Sequence, residues 1–143
     1  MRELYHIFVK DNYIGDLLHD TDGDRYIYTQ KDFGRDGEYF NFRLNANTSE
    51  LRFRDTIYST RVFPKNRVNA HKLLNELGLL EYNRWEILKK TQFISDDCIW
   101  MSKDLNGEWF WFNHPLACTV SGYSEKTGKP MFVSLYDDDD DDF

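Results

Sequence analysis

Long apolar runs are missing from this chain of 143 residues, only two residues are cysteine and three proline, and basic residues are outnumbered by acidic ones, 18 to 25. A helix that spans a membrane needs about 20 consecutive apolar residues, and no stretch of the sequence approaches that length. The first six residues do not have the pattern of a secretion signal. We therefore expect a soluble protein that works in the cytoplasm.

The two cysteines, Cys98 and Cys118, each lie in apolar sequence that is typical of a strand. A pair of cysteines in an intracellular chain of this size is usually two buried thiols. A disulfide would form only if the two strands were neighbours, and the sequence leaves that open.

Negative charge is concentrated in one short segment. The net charge is −7, and six adjacent aspartates account for −6, which leaves −1 for the other residues. A nearly neutral body lacks the basic excess that binding to a phosphate backbone requires, so direct nucleic-acid binding is disfavoured. Adjacent carboxylates repel one another, so we expect residues 137–143 to be a disordered tail after a single domain, residues 1–136.

The sequence is rich in aromatic and β-branched residues that are interrupted by turn signals. This pattern predicts strands at residues 3–10, 13–18, 25–29, 39–44, 98–101, 108–112, 116–120 and 131–135. Asp11-Asn12 and Asn106-Gly107 favour tight hairpin turns. The strands before residue 45 therefore form an antiparallel meander, and those after residue 98 form hairpins.

A helical rhythm is confined to residues 53–91. Phe53 and Ile57 share a face of a short helix at 53–60, and Asn83 is predicted to cap a helix at 83–91. Between them lies a helix that begins near Pro64 and stops at Gly78. Its inner face is formed by Ala70, Leu73, Leu74 and Leu77. The predicted fold class is α+β: an antiparallel sheet, made of a meander plus C-terminal hairpins, with two or three short helices packed on it.

Three short patterns suggest chemistry but lack the rest of the machinery. Residues 32–34 spell the Asp-Phe-Gly triplet of protein kinases, yet the glycine loop, the strand lysine and the catalytic aspartate are missing. Asp20, Asp22 and Asp24 alternate as in a calcium loop, but the glycine and glutamate that complete it are absent. The histidines have no zinc-ligand spacing. We therefore predict no enzymatic activity, no cofactor and no metal.

Two blocks of sequence carry a resemblance. The first is His-Ile-Phe-Val-Lys-Asp-Asn-Tyr-Ile-Gly-Asp-Leu at residues 6–17. The second runs from Arg61-Val-Phe-Pro64-Lys-Asn-Arg67 through Leu77-Gly78 and a helix to Asp97-Cys-Ile-Trp100. Their order resembles the N-terminal subdomain of HipA-type toxin kinases, and the short stand-alone proteins of that type in low-GC bacteria and their phages. The blocks cover about two thirds of the chain.

This resemblance implies an antiparallel sheet with helices packed on it and a role in binding other proteins. The family's catalytic residues lie in a separate kinase portion that has no counterpart here. In three-gene toxin systems a small protein of this kind can hold the kinase inactive. We therefore expect a non-catalytic regulator or antitoxin-like inhibitor, encoded by a phage or mobile element, that binds a kinase-like toxin or a nucleic-acid enzyme.

Two groups of residues are candidates for the partner-binding surface. Basic side chains gather at the predicted start of the main helix, where they would face an acidic surface or a phosphate; they are Arg61, Lys65, Arg67 and Lys72. A second candidate is the aromatic strand that contains Trp109 and Trp111. We expect its side chains to belong to the core; the alternatives, in order of preference, are an anchor for a protein partner and a platform for stacked bases.

The third candidate is the acidic tail, composed of Asp137, Asp138, Asp139, Asp140, Asp141, Asp142 and Phe143. It resembles the acidic tails with a final Phe on single-stranded-DNA-binding proteins, which dock on partner enzymes. The tail would bind a nucleic-acid enzyme, mimic DNA phosphates, or cover the protein's own basic helix; a solubilising role is the plain alternative. Two further functions thus remain open: a DNA-mimic, anti-defence inhibitor and a single-stranded nucleic-acid-binding protein.

Overall fold

The computed structural model describes residues 1–95, 97–106, 117–123 and 130–135. In chain order the elements are β1 (Arg2–Val9), β2 (Asn12–Asp20), β3 (Arg25–Gln30), α1 (Arg35–Leu44), α2 (Glu50–Arg61), α3 (Ala70–Glu76), α4 (Arg84–Lys90), β4 (Ile99–Ser102), β5 (Ala117–Tyr123) and β6 (Pro130–Leu135). None of the helices in these ranges is long and apolar enough to cross a membrane.

An antiparallel sheet of four strands in the order β3-β2-β1-β4 is the base on which the four helices pack. β1 and β2 form the predicted hairpin, and β4 returns to pair with the free side of β1. β5 and β6 form a separate antiparallel pair, which confirms the predicted last hairpin. The predicted α+β class is confirmed. The predicted Asn106-Gly107 turn, the strand at 108–112 and the acidic tail lie outside the described residues.

The strand predicted at residues 39–44 is wrong, because these residues form the second half of α1. Phe40 and Leu44, one turn apart, are both fully buried, and Gly37 lies on the same buried face. Positions 37, 40 and 44 thus have the i, i+3, i+7 spacing of a helix face. The exposed aromatic residues Tyr39 and Phe42 lie among them and give the sequence an alternation that resembles a strand. The described helices therefore number four.

α2 and α4 are confirmed, and each begins at a capping side chain. Ser49 accepts a hydrogen bond from the backbone N–H of Arg52 at the start of α2, at 3.1 Å. Asn83 accepts one from the N–H of Glu86 at the start of α4, at 3.0 Å. The side chain of Glu86 turns to Lys89 instead of closing a reciprocal capping box.

α3 is shorter than predicted, since it begins at Ala70 and leaves Pro64 in the connection that precedes it. The predicted apolar face is correct, because all four of its residues are buried: Ala70, Leu73, Leu74 and Leu77. Gly78 adopts a φ of +74°, the left-handed conformation predicted for the residue that stops this helix.

A buried ion pair joins the helices to β4. Arg61 and Asp97 are 1% and 3% exposed, and one guanidinium nitrogen of Arg61 lies 2.5 Å from the Asp97 carboxylate. The other donates a hydrogen bond to the carbonyl of Phe93, at 2.7 Å. Arg43 of α1 donates to the same carboxylate at 3.1 Å. A single carboxylate thus ties α1 and α2 to the entrance of β4.

Replacing Asp97 with alanine is expected to cost roughly 3–5 kcal/mol of unfolding free energy, since it leaves the Arg61 charge buried without its partner. The matched control is Asp55→Ala, whose carboxylate is 65% exposed and lies 3.7 Å from Arg54; its expected cost is below about 1 kcal/mol. Urea denaturation of both variants measures the difference. Equal losses of unfolding free energy in the two variants would contradict a structural role for this ion pair.

The same ion pair predicts an acid dependence. Burial acts to raise the pKa of Asp97, but the charge and hydrogen bonds of Arg61, with hydrogen bonds from Arg43 and the Ile99 N–H, outweigh burial and hold the pKa below its usual 3.8. The stabilisation is therefore complete above that value and is lost as the pH falls through the lower, folded-state pKa. Unfolding of the Asp97→Ala variant lacks this part of the acid dependence.

Gly37→Ala is expected to destabilise the protein by about 1–3 kcal/mol, because an added Cβ would collide with packed backbone. That atom would lie 1.8 Å from the carbonyl oxygen of Asp32, so α1 and the preceding loop would have to separate. Glu38→Ala, one position along on the exposed side of α1, is the control and should change stability by less than about 0.5 kcal/mol. Thermal unfolding that shifts equally in both variants would contradict this close approach.

Candidate functional site

The fold separates the four basic residues that were predicted to share one surface. Arg61 is the buried end of α2, so it belongs to the core and does not face a partner, which corrects the prediction. Lys65 is exposed in the connection after α2, Arg67 is partly buried there, and Lys72 is exposed on α3. The other predicted partner-binding residues, Trp109, Trp111 and the acidic tail, lie outside the described residues.

A groove lies between α2, the connection that follows it and the start of α4. Two adjoining cavities of about 760 Å³ and 440 Å³ form it, and both are lined by Tyr58, Lys65, Tyr82 and Arg84. The Tyr82 hydroxyl donates a hydrogen bond to the carbonyl of Phe63 at 2.6 Å, which fixes that wall. Val62 and Pro64 add apolar surface to the larger cavity.

Tyr58 is held in place from three sides. Its hydroxyl donates a hydrogen bond to a carboxylate oxygen of Asp24 at 2.5 Å and lies 3.0 Å from the hydroxyl of Tyr26. The guanidinium of Arg84 lies 4.7 Å from the centre of the Tyr58 ring, in a cation–π contact. The wall of the groove and one of its two cations are thereby preorganised.

His19 closes the inner end of the smaller cavity. The ring is 2% exposed, stacks on Trp85 at 4.4 Å, and its Nε2 lies 2.9 Å from the second carboxylate oxygen of Asp24. Since a carboxylate only accepts, Nε2 donates this hydrogen bond. Nδ1 is buried and has no hydrogen-bond partner among the described residues.

The carboxylates of the groove are already engaged. Asp24 receives the hydrogen bonds of Tyr58 and His19, Asp55 faces Arg54, and Glu86 lies 2.8 Å from Lys89. Partial burial acts to raise the pKa of Asp24, but the hydrogen bonds from His19 and Tyr58 outweigh it and hold that pKa below its usual value.

The two cations of the groove differ from its carboxylates in their partners. Lys65 and Arg84 form no ion pair within the part of the chain that the structure describes, and Arg84 contacts the ring of Tyr58 there. A ligand carboxylate would therefore meet two basic groups that are not paired with any described carboxylate.

Ser102, His6 and Asp16 lie in a row across three neighbouring strands of the sheet. His6 Nδ1 is 2.6 Å from the Asp16 carboxylate, which is half of a catalytic-triad arrangement. The nucleophile is not engaged, because Ser102 Oγ accepts a hydrogen bond from the Asp104 N–H and makes none with His6. In the described residues, moreover, no group of three or more His, Cys, Asp or Glu side chains is placed to hold a metal.

Sequence reasoning missed most of the groove. Tyr58, Tyr82, Arg84 and His19 carry no motif, and Asp24 was noted only in the incomplete calcium-loop pattern; three different parts of the chain supply these residues. Their only local signal is the Asn83 cap, which places Arg84 at an exposed helix start.

Comparison with known proteins gave no match, whether with family models, with curated proteins or with solved structures.

Tyr58→Phe is expected to raise the pKa of Asp24, because the variant loses one of the hydrogen bonds that hold it down, and to cost roughly 1–2 kcal/mol of stability. The carboxyl carbon shift of Asp24, followed by NMR across a pH titration, measures the first effect. Tyr39→Phe is the control, since the Tyr39 hydroxyl makes no hydrogen bond with a described residue. An unchanged Asp24 titration would contradict the network.

Proposed function

We propose that this chain is a non-catalytic, cytoplasmic regulator that binds another protein through the groove between α2 and α4. The observation that carries the proposal is an aromatic groove wall beside two cations, Lys65 and Arg84, that form no ion pair with any residue the structure describes. Such surfaces recognise an acidic segment, since charge complementarity gives specificity and aromatic side chains supply contact area.

The HipA resemblance supports a stand-alone binding module. Arg61 and Asp97, from the two ends of the second sequence block, form the buried ion pair. Trp100 from the same block stacks on Phe8 of the first block at 4.3 Å. The residues that carry the resemblance are thus contacts that hold the fold together. We propose accordingly an antitoxin-like role, in which the chain occupies the surface of a kinase-like toxin and holds it inactive.

Binding fits the groove better than catalysis does. Tyr58, Asp24 and His19 are hydrogen-bonded to one another. The Ser59 hydroxyl, which also lines the larger cavity, donates its hydrogen bond to the carbonyl of Thr56 and not to a base. A reaction would need a nucleophile and a base within hydrogen-bond reach of each other and of a bound substrate. The same groups are well suited to present a fixed surface.

Reversing the two free cations, in the variant Lys65→Glu with Arg84→Glu, is expected to abolish capture of the partner. Both side chains are exposed, so the fold should tolerate the change. The measurement is affinity capture from host lysate with mass spectrometry, at low and at physiological salt, because charge-driven capture weakens as salt rises. Arg35→Glu is the matched control, because Arg35 is the exposed first residue of α1 outside the groove, as Arg84 is the first residue of α4 within it.

The proposal requires one specific protein, recovered with the unaltered chain and with Arg35→Glu and lost with the double variant. Equal recovery with all three chains would place the binding surface elsewhere. Recovery of no specific protein by the unaltered chain would count against a protein-binding regulator altogether. Circular dichroism of each variant establishes that a loss is a loss of contact and not of folding.

A further inference from the structure

We infer that the acidic segment of residues 137–143 is itself a ligand of the groove, so that the chain carries a built-in competitor for its partner site. This inference rests on the proposed function, because it names the chemistry that the same groove accepts. The argument proceeds from the charges of the groove, through its apolar lining, to the composition of the segment.

The charges of the groove select an acidic ligand. Lys65 is an exposed ammonium, and Arg84 presents a planar guanidinium whose position the Tyr58 ring fixes at 4.7 Å. A guanidinium of this kind pairs with a carboxylate through two parallel hydrogen bonds. Each carboxylate that lines the groove has a partner on the protein, namely Tyr58 and His19, Arg54 or Lys89. Among the described residues no carboxylate pairs with Lys65 or Arg84, so a ligand carboxylate could pair with either cation.

The lining of the groove also accepts an aromatic ring. Beside the two cations, the larger cavity is bordered by Tyr58, Val62, Pro64 and Tyr82. A volume of about 760 Å³ exceeds what one aromatic side chain with its neighbouring backbone fills. A ligand that combines carboxylates with one ring would therefore satisfy both parts of the surface.

The chain contains one segment of that composition. Six consecutive aspartates are followed by Phe143, and these aspartates account for −6 of the net charge of −7. Because the segment belongs to the same chain as the groove, its binding is intramolecular, and the length of the intervening chain sets its effective concentration. A partner would displace the segment only if its own acidic segment bound the groove with higher affinity. This competition would exclude partners that bind weakly.

The test uses the full chain with all six aspartates of residues 137–142 replaced by serine, and a fluorescein-labelled peptide of six aspartates and one phenylalanine. Fluorescence anisotropy at low salt measures binding. We expect the labelled peptide to bind this tail-neutral chain, and to bind the unaltered chain about tenfold more weakly because the attached segment competes. On the tail-neutral background, Lys65→Glu with Arg84→Glu should weaken binding about tenfold.

Matched controls separate specific binding from general attraction. Arg35→Glu on the tail-neutral background should leave peptide affinity within about twofold, since a single exposed charge outside the groove contributes little. A peptide of six asparagines and one phenylalanine should not bind, and one of six aspartates and one alanine should bind more weakly. The single variants Lys65→Glu and Arg84→Glu each give part of the loss if the double variant proves unfolded.

The inference fails if the peptide does not bind the tail-neutral chain, if the groove variant binds it as well as Arg35→Glu does, or if the unaltered chain binds it as tightly as the tail-neutral one. Its failure is distinguishable from that of the proposed function. Partner capture that depends on Lys65 and Arg84 without peptide binding leaves the function standing. Peptide binding together with partner capture that ignores both residues overturns the function alone.

Discussion

The ion pair between Arg61 and Asp97 is the constraint on which the helical layer depends. It joins the last residue of α2 to the residues just before β4, and Arg43 brings α1 to the same carboxylate. The guanidinium of Arg61 also lies 4.7 Å from the ring of Phe93. A buried ion pair adds little net stability compared with a well-packed apolar contact, but breaking it leaves a charge in the core. We therefore regard it as fixing one arrangement of the helices rather than as a main source of stability.

This arrangement of the helices determines where one wall of the groove lies. Tyr58 lies three residues before Arg61, so the helix register that buries the arginine also turns the tyrosine toward the β2–β3 turn, where Asp24 receives its hydrogen bond. The Tyr58 wall of the groove is thus built from the same helix that the ion pair anchors. A groove wall held in this way would lose little conformational entropy on binding a ligand.

Features that depend on residues close together in the sequence could be predicted, whereas features that depend on tertiary packing could not. The cap at Asn83 and the buried face of α3 follow from short-range patterns, and both were predicted correctly. The strand predicted at 39–44 failed because burial of Phe40 and Leu44 is decided by what packs on them, which alternation of residue types does not reveal. The groove could not be predicted, since Tyr58 and Arg84 meet only after the chain has folded.

The fate of the basic residues shows why counting charges along the sequence was insufficient. Arg61 and Lys65 are only four positions apart in the sequence. Arg61 is buried and paired with Asp97, whereas Lys65 is exposed and has no ion pair among the described residues. A buried charge is bound to its partner by the cost of separating them, whereas an exposed cation remains available to a ligand. A basic residue is therefore a candidate for binding an acidic ligand only when it is exposed and its charge is not paired within the fold. Beside the aromatic wall, Lys65 and Arg84 meet this condition among the described residues.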